Sequence, residues 1–165
     1  MTPAVKGSVL ALVLILISMV MYFTGQSENK VLGFIPWIIF AGTIIWSCFY
    51  YAKQMNGDVT FGNVFAHGFK TSAATTALVV IFTFVFIKFI APEMVDKAML
   101  QARLKWEEMK MQTDQMQTME TFTRKFFVAF AVGGAMVMYL IAGLIFSLIG
   151  AAVSKKNTTP FQNPN

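Results

Sequence analysis

The sequence predicts an all-α integral membrane protein with four transmembrane helices and an extramembrane helical extension between the third and fourth. Three observations carry this. Of 165 residues, 56% are apolar and 13% charged, against about 25% charged in a soluble domain. A domain of this size still exposes roughly 30% of its chain's surface, so part of its solvent must be lipid. Four stretches reach the ~20 apolar residues that a helix needs to cross a bilayer while satisfying its own backbone. Between the last two lies a segment holding six of the 13 basic and six of the eight acidic residues.

The first span is expected at about 7–24, uncharged after Lys6. A positive start before an apolar run also marks a signal peptide, but Met21-Tyr22-Phe23-Thr24-Gly25 offers no small-x-small cleavage site, so an uncleaved span is expected. The second, at 31–52, is uncharged and carries Trp37, Trp46, Tyr50 and Tyr51 where amphipathic rings favour the headgroup level. The third, at 64–91, has an uncharged centre between Lys70 and Lys88, which read as snorkelling anchors. The fourth is expected at 126–153, completing one membrane domain over 1–153, with 154–165 as a disordered polar tail.

The segment 92–125 has no Gly, and no Pro after Pro92, which suits a first helical position. Glu93 with Lys97, Arg103 with Glu107, Glu107 with Lys110 and Glu120 with Arg124 fall at helical spacing. Val95, Met99, Trp106 and Met109 share a wider apolar face, and Leu100, Leu104 and Met111 a narrower one. A single helix of this length would be roughly 50 Å long at 1.5 Å per residue, too long to stand upright and return directly to the fourth span. Two stripes suit a hairpin, with the bend expected at Gln112, Thr113 and Asp114.

The run Asn56-Gly57-Asp58-Val59-Thr60-Phe61-Gly62-Asn63-Val64-Phe65-Ala66-His67-Gly68-Phe69 resembles the entry to the third helix in a Bacteroidetes membrane-protein family, domain-of-unknown-function family 4199. Phe89-Ile90-Ala91-Pro92, leading into a Met-, Glu- and Lys-rich helix, is similar to that family's connection between helices three and four. So is the ending Gly143-Leu144-Ile145-Phe146-Ser147-Leu148-Ile149-Gly150-Ala151, closed by Lys155 and Lys156. The resemblance implies a four-helix fold in a bacterial inner membrane and carries no catalytic or ligand residues. Five basic residues flank the side of the termini and eight the other, so the positive-inside rule alone points outward. The expectation that both termini are cytoplasmic rests on the resemblance.

A chemical site within a membrane is normally marked by an ionisable residue at mid-span. None stands in the four apolar cores. His67 is expected at headgroup level, Cys48 as an inert packed thiol, and Tyr139 in an interhelical hydrogen bond. One Cys and one His supply no usual zinc set, and the basic residues form no patch for nucleic acid. No catalytic residue, cofactor or metal is expected, and the chain reads as no enzyme. Small residues four apart, Gly68 with Ser72, Ala129 with Gly133, and Gly143 with Ser147 and Ala151, are expected to let helix backbones approach.

The expected partners are the bilayer and either a second copy or another membrane protein, with Trp106 and Met109 as candidate contacts. The best functional expectation is a multi-pass protein acting as a non-catalytic scaffold or accessory subunit. The alternative is a small oligomeric permease or channel, to which Pro36 and the Gly133-Gly134 pair would lend looser helices.

Overall fold

A computed structural model describes residues 1–26, 29 and 31–154. Of the tail expected over 154–165, Ser154 is instead buried, with its hydroxyl donating to Gly150 O at the end of the last helix, and 155–165 lie outside the described residues. Among the described residues there is no strand. The helices are α1 (Pro3–Phe23), α2 (Ile35–Gln54, entered through a 3-10 turn at Leu32–Phe34), α3 (Phe61–Val85), α4 (Glu93–Glu108) and α5 (Thr113–Val153). Four helical stretches are long and apolar enough to cross a membrane: Pro3–Phe23, Leu32–Gln54, Phe61–Ile90 and Thr113–Val153.

The helix starts follow from local chemistry. Thr2 Oγ1 accepts from Val5 N and Pro3 occupies the first turn, so α1 begins four residues before the apolar run and takes Lys6 inside the helix. Thr60 Oγ1 accepts from Asn63 N at the entry to α3. At the far end of α3, residues Phe86–Ile90 widen into a π-turn, in which Ala91 N reaches back to Phe86 O at 2.8 Å. Pro92 follows, and Ala91 leaves the helical region as a residue before proline tends to do (φ −136°).

Three helices stop in the same way. Gly25, Asn56 and Lys110 each adopt positive φ just past the end of α1, α2 and α4. In each case the next amide reaches back five residues: Gln26 N to Met21 O, Gly57 N to Ala52 O, and Met111 N to Trp106 O. These are Schellman caps. The hairpin therefore turns at Lys110, earlier than the expected Gln112–Asp114. That trio instead opens α5, where Met116 N donates to Gln112 O and Thr118 Oγ1 to Asp114 O.

The described residues form two compact units, one from 1–79 with 138–154 and the other from 80–137. In the second, α4 and the start of α5 make an antiparallel hairpin. Asp96 pairs with Arg124, and Glu120 meets both Arg103 (3.0 Å) and Arg124 (3.6 Å). Arg103 thus turns across the hairpin to Glu120 rather than along its own helix to Glu107. Only Met99 of α4 is buried, while Leu100, Leu104 and Met109 are exposed. In the first unit, Leu10, Ala11 and Leu14 of α1 pack with Phe40 and Ile44 of α2 and Val79 of α3. Tyr139 of α5 closes this core through its ring, stacked on Trp37 at 5.0 Å and edge-on to Phe40 at 5.2 Å, rather than through the expected hydrogen bond.

Two predictions follow from the hairpin. A left-handed conformation costs an L-residue about 1–2 kcal/mol that glycine does not pay, so Lys110→Gly should raise hairpin stability by about 0.5–1 kcal/mol, read as slower amide exchange in α4. A double-mutant cycle on Arg103 and Glu120 should give a coupling of about 0.2–1 kcal/mol that shrinks with added salt, since the pair is partly exposed.

Candidate functional site

The buried face of α3 is unusually polar. Val64, His67, Gly68, Thr71, Ser72, Thr75, Thr76 and Val79 fall three or four apart and all turn inward. The threonine hydroxyls are spent on their own helix: Thr71 Oγ1 donates to His67 O and Thr76 Oγ1 to Ser72 O. Thr75 Oγ1 lies 3.0 Å from both Thr71 O and Gly7 O, so its one proton is shared between α3 and α1. At Gly7 the two backbones touch, because an added Cβ would overlap Thr71 O and lie 2.8 Å from the Ala74 Cβ.

That contact sets the residue before Gly7 against the residue one turn before Thr71. Lys6 Nζ lies 3.2 Å from His67 Nε2, with Lys6 only 5% and His67 7% exposed. The rest of the enclosure is aromatic and comes from α2. Tyr51 stacks on the imidazole at 4.2 Å and 12°. Lys6 Nζ stands 4.6 Å from the Tyr50 ring centre and 5.8 Å from that of Trp46, and these two rings stack on each other. Among the described residues no carboxylate pairs with Lys6. Trp46 and Tyr50 also wall a cleft of about 640 Å³ with Phe49, Ala52, Lys53, Asn56 and Gly57.

His67 is therefore a buried ring in hydrogen-bond contact with Lys6, covered by the protein itself. The cause is the early start of α1, which supplies Lys6 as its cover. Lys6, Gly7 and Thr75 escaped the sequence reading, although a signal was present. His67, Thr71 and Thr75 are polar at four-residue spacing inside a membrane span, a face that lipid would penalise.

The small residues divide. On α3 and α5, Gly68 faces Ser147 and Gly143 faces Ser72, a reciprocal pairing of one serine and one glycine on each helix. A Cβ at Gly68 would lie 3.0 Å from Ser147 Oγ, and one at Gly143 would overlap the Ser72 side chain outright. Gly150 sits as closely against Cys48 of α2, whose thiol reaches Val64 O at 3.7 Å. Ala151 is fully buried in a second cluster with Cys48, Ala52 and Val64. The Ser72 and Ser147 hydroxyls are buried without a hydrogen-bond partner. Gly133 stands apart, since a Cβ built there meets nothing within 4 Å. Trp106 is half-buried on α4, and Met109, at its C-terminal cap, is exposed.

Chemically, the arrangement offers a pair of bases able to hold a proton and a set of close backbone crossings. No three His, Cys, Asp or Glu residues gather to hold a metal among the described residues. Four apolar helices long enough to span a membrane, held by glycine and serine contacts, define an α-helical membrane-protein fold. The chain belongs to the family described as Protein of unknown function (DUF4199), whose model matches residues 6–156. No curated protein and no solved structure matches it.

The α3–α5 crossing yields a compensating pair of expectations. Gly143→Ala should destabilise by about 1–3 kcal/mol through overpacking, and Ser72→Gly in the same chain should restore most of that. Ser72→Ala alone should be neutral or slightly stabilising, because it removes a buried hydroxyl with no partner. Unfolding equilibria in bicelles read all three.

Proposed function

We propose that this chain is a non-catalytic scaffold or accessory subunit of a bacterial inner membrane, with both termini cytoplasmic. The hairpin carries the reading. Four of its charges, Asp96, Arg124, Glu120 and Arg103, close α4 against α5. Met109 is left exposed next to a half-buried Trp106 on one face, and Leu100 and Leu104 are exposed on the other. Exposed apolar groups on a self-braced helix, an adaptable methionine among them, suit contact with another membrane protein. The support for the location and orientation is the resemblance to an inner-membrane family, with which the family match over 6–156 agrees.

The alternative is a small oligomeric permease or channel. Its support is the Lys6–His67 pair, an ionisable group held between two membrane helices. Against it, the hydroxyls of Thr71, Thr75 and Thr76 are turned onto backbone carbonyls rather than lining an open path.

The test is a mild-detergent pull-down from the native membrane, repeated with Trp106→Ala and Met109→Glu. The scaffold reading expects a stoichiometric partner held at least about tenfold less tightly by the variants, the loss of ~1.4 kcal/mol that one anchor supplies. Variants that capture the partner unchanged would remove the hairpin from the interface. Solute flux through reconstituted wild-type protein would favour the permease. From the orientation, a cysteine introduced as Ser154→Cys is expected to be shielded from membrane-impermeant thiol reagents in intact cells, and labelling there would reverse the assignment.

A further inference from the structure

We infer that Lys6 and His67 form a binding site for a single proton that fastens α1 to α3, and that a second proton bound there releases α1. The inference starts from the 3.2 Å separation of Lys6 Nζ and His67 Nε2. At that distance one atom donates and the other must present a lone pair, so the two bases together hold at most one ionising proton. Either an ammonium donates to an unprotonated Nε2, or the pair is uncharged and a neutral amine meets the imidazole as donor or acceptor. The aromatic walls decide between them. Lys6 Nζ lies over the faces of Tyr50 and Trp46, and a ring face attracts a cation rather than a neutral amine. Lys6 therefore carries the charge, and His67 is neutral with its proton on Nδ1.

Among the described residues no acidic group neighbours the pair to accept a second charge. The charges that act on the imidazole are Lys6 of α1, the amino group of Met1 ahead of that helix, and Lys70 of α3. From α2 come Tyr50, Tyr51 and Cys48. The buried residues of α5, which pack against α2 and α3, are Gly143, Ser147, Gly150 and Ala151, none of them ionisable. Every charged group in this set is positive. Protonating His67 would leave two cations at hydrogen-bond distance, each more than nine-tenths buried, with the only bond between them broken. The repulsion is relieved by moving Lys6 away, and Lys6 is fixed to α1. Because the docked form holds fewer protons than the undocked form can take up, docking weakens as pH falls.

His67 is the chain's one histidine, so ¹⁵N-histidine labelling of the full chain in lipid nanodiscs reports this ring alone. The expected spectrum at neutral pH shows Nδ1 protonated and Nε2 bare, the reverse of the tautomer that free imidazole side chains prefer. Spin labels at Val9→Cys on α1 and Leu78→Cys on α3, both exposed positions, read the distance between the helices. That distance should lengthen in step with ring protonation. His67→Gln keeps an acceptor for Lys6 but takes no proton, so its distance should hold constant through the same pH range. An Nε2–H signal at neutral pH would overturn the proton assignment, and this measurement needs no variant at the pair. A distance indifferent to ring protonation, a ring that never takes the second proton before the protein unfolds, or separation in His67→Gln matching wild type would each overturn the release of α1.

Discussion

Lipid removes the hydrophobic gain that drives helices together in water, so what remains is close contact between backbones and hydrogen bonds between side chains. The unit around α3 depends on that constraint at each crossing. Gly7 of α1, Gly68 of α3, and Gly143 and Gly150 of α5 lie where a single methyl group would meet a neighbour at less than 3 Å. Each approach then brings a polar group into reach. The Gly7 contact delivers its own carbonyl to Thr75 and its neighbour Lys6 to His67. The Gly143 contact presses a methylene-sized gap against the Ser72 hydroxyl. The polar face of α3 is tolerable because the glycines bring partners, or at least a tight shell, around it.

The hairpin follows a different rule. Outside the apolar spans Arg103 with Glu120 and Asp96 with Arg124 pair across α4 and α5, and the pairs are partly exposed. Such pairs are individually weak, so the network fixes the register of the two helices more than it adds stability. The two regions therefore differ in what a mutation costs. In the α3 crossings, volume decides. In the hairpin, charge and backbone conformation decide.

Much of this was legible in the sequence. The four spans followed from apolar length, and the helical extension from charges at three- and four-residue spacing. What was missed has physical causes. The apolar window opens at Gly7 and leaves out Thr2 and Pro3, whose capping chemistry starts the helix four residues earlier and draws Lys6 into it. The cover of His67 is not legible, because Lys6 lies 61 residues away in sequence. Gly133 shared the spacing of Gly143 without sharing its contacts, since spacing shows which backbones can approach and not which do. The hairpin bend was placed on turn-compatible residues, whereas the chain used a lysine in the left-handed region.

The distance in sequence between Lys6 and His67 also bears on how the protein is made. Lys6 emerges in the first helix, and its partner follows 61 residues later. At roughly 5–20 residues per second, that gap is about 3–12 s of synthesis. Through that interval α1 has no imidazole to shield its ammonium, and the charge has to stay near the headgroups, where a lysine stem can reach water. The contact between α1 and α3 thus closes only after α2 and the start of α3 have been made.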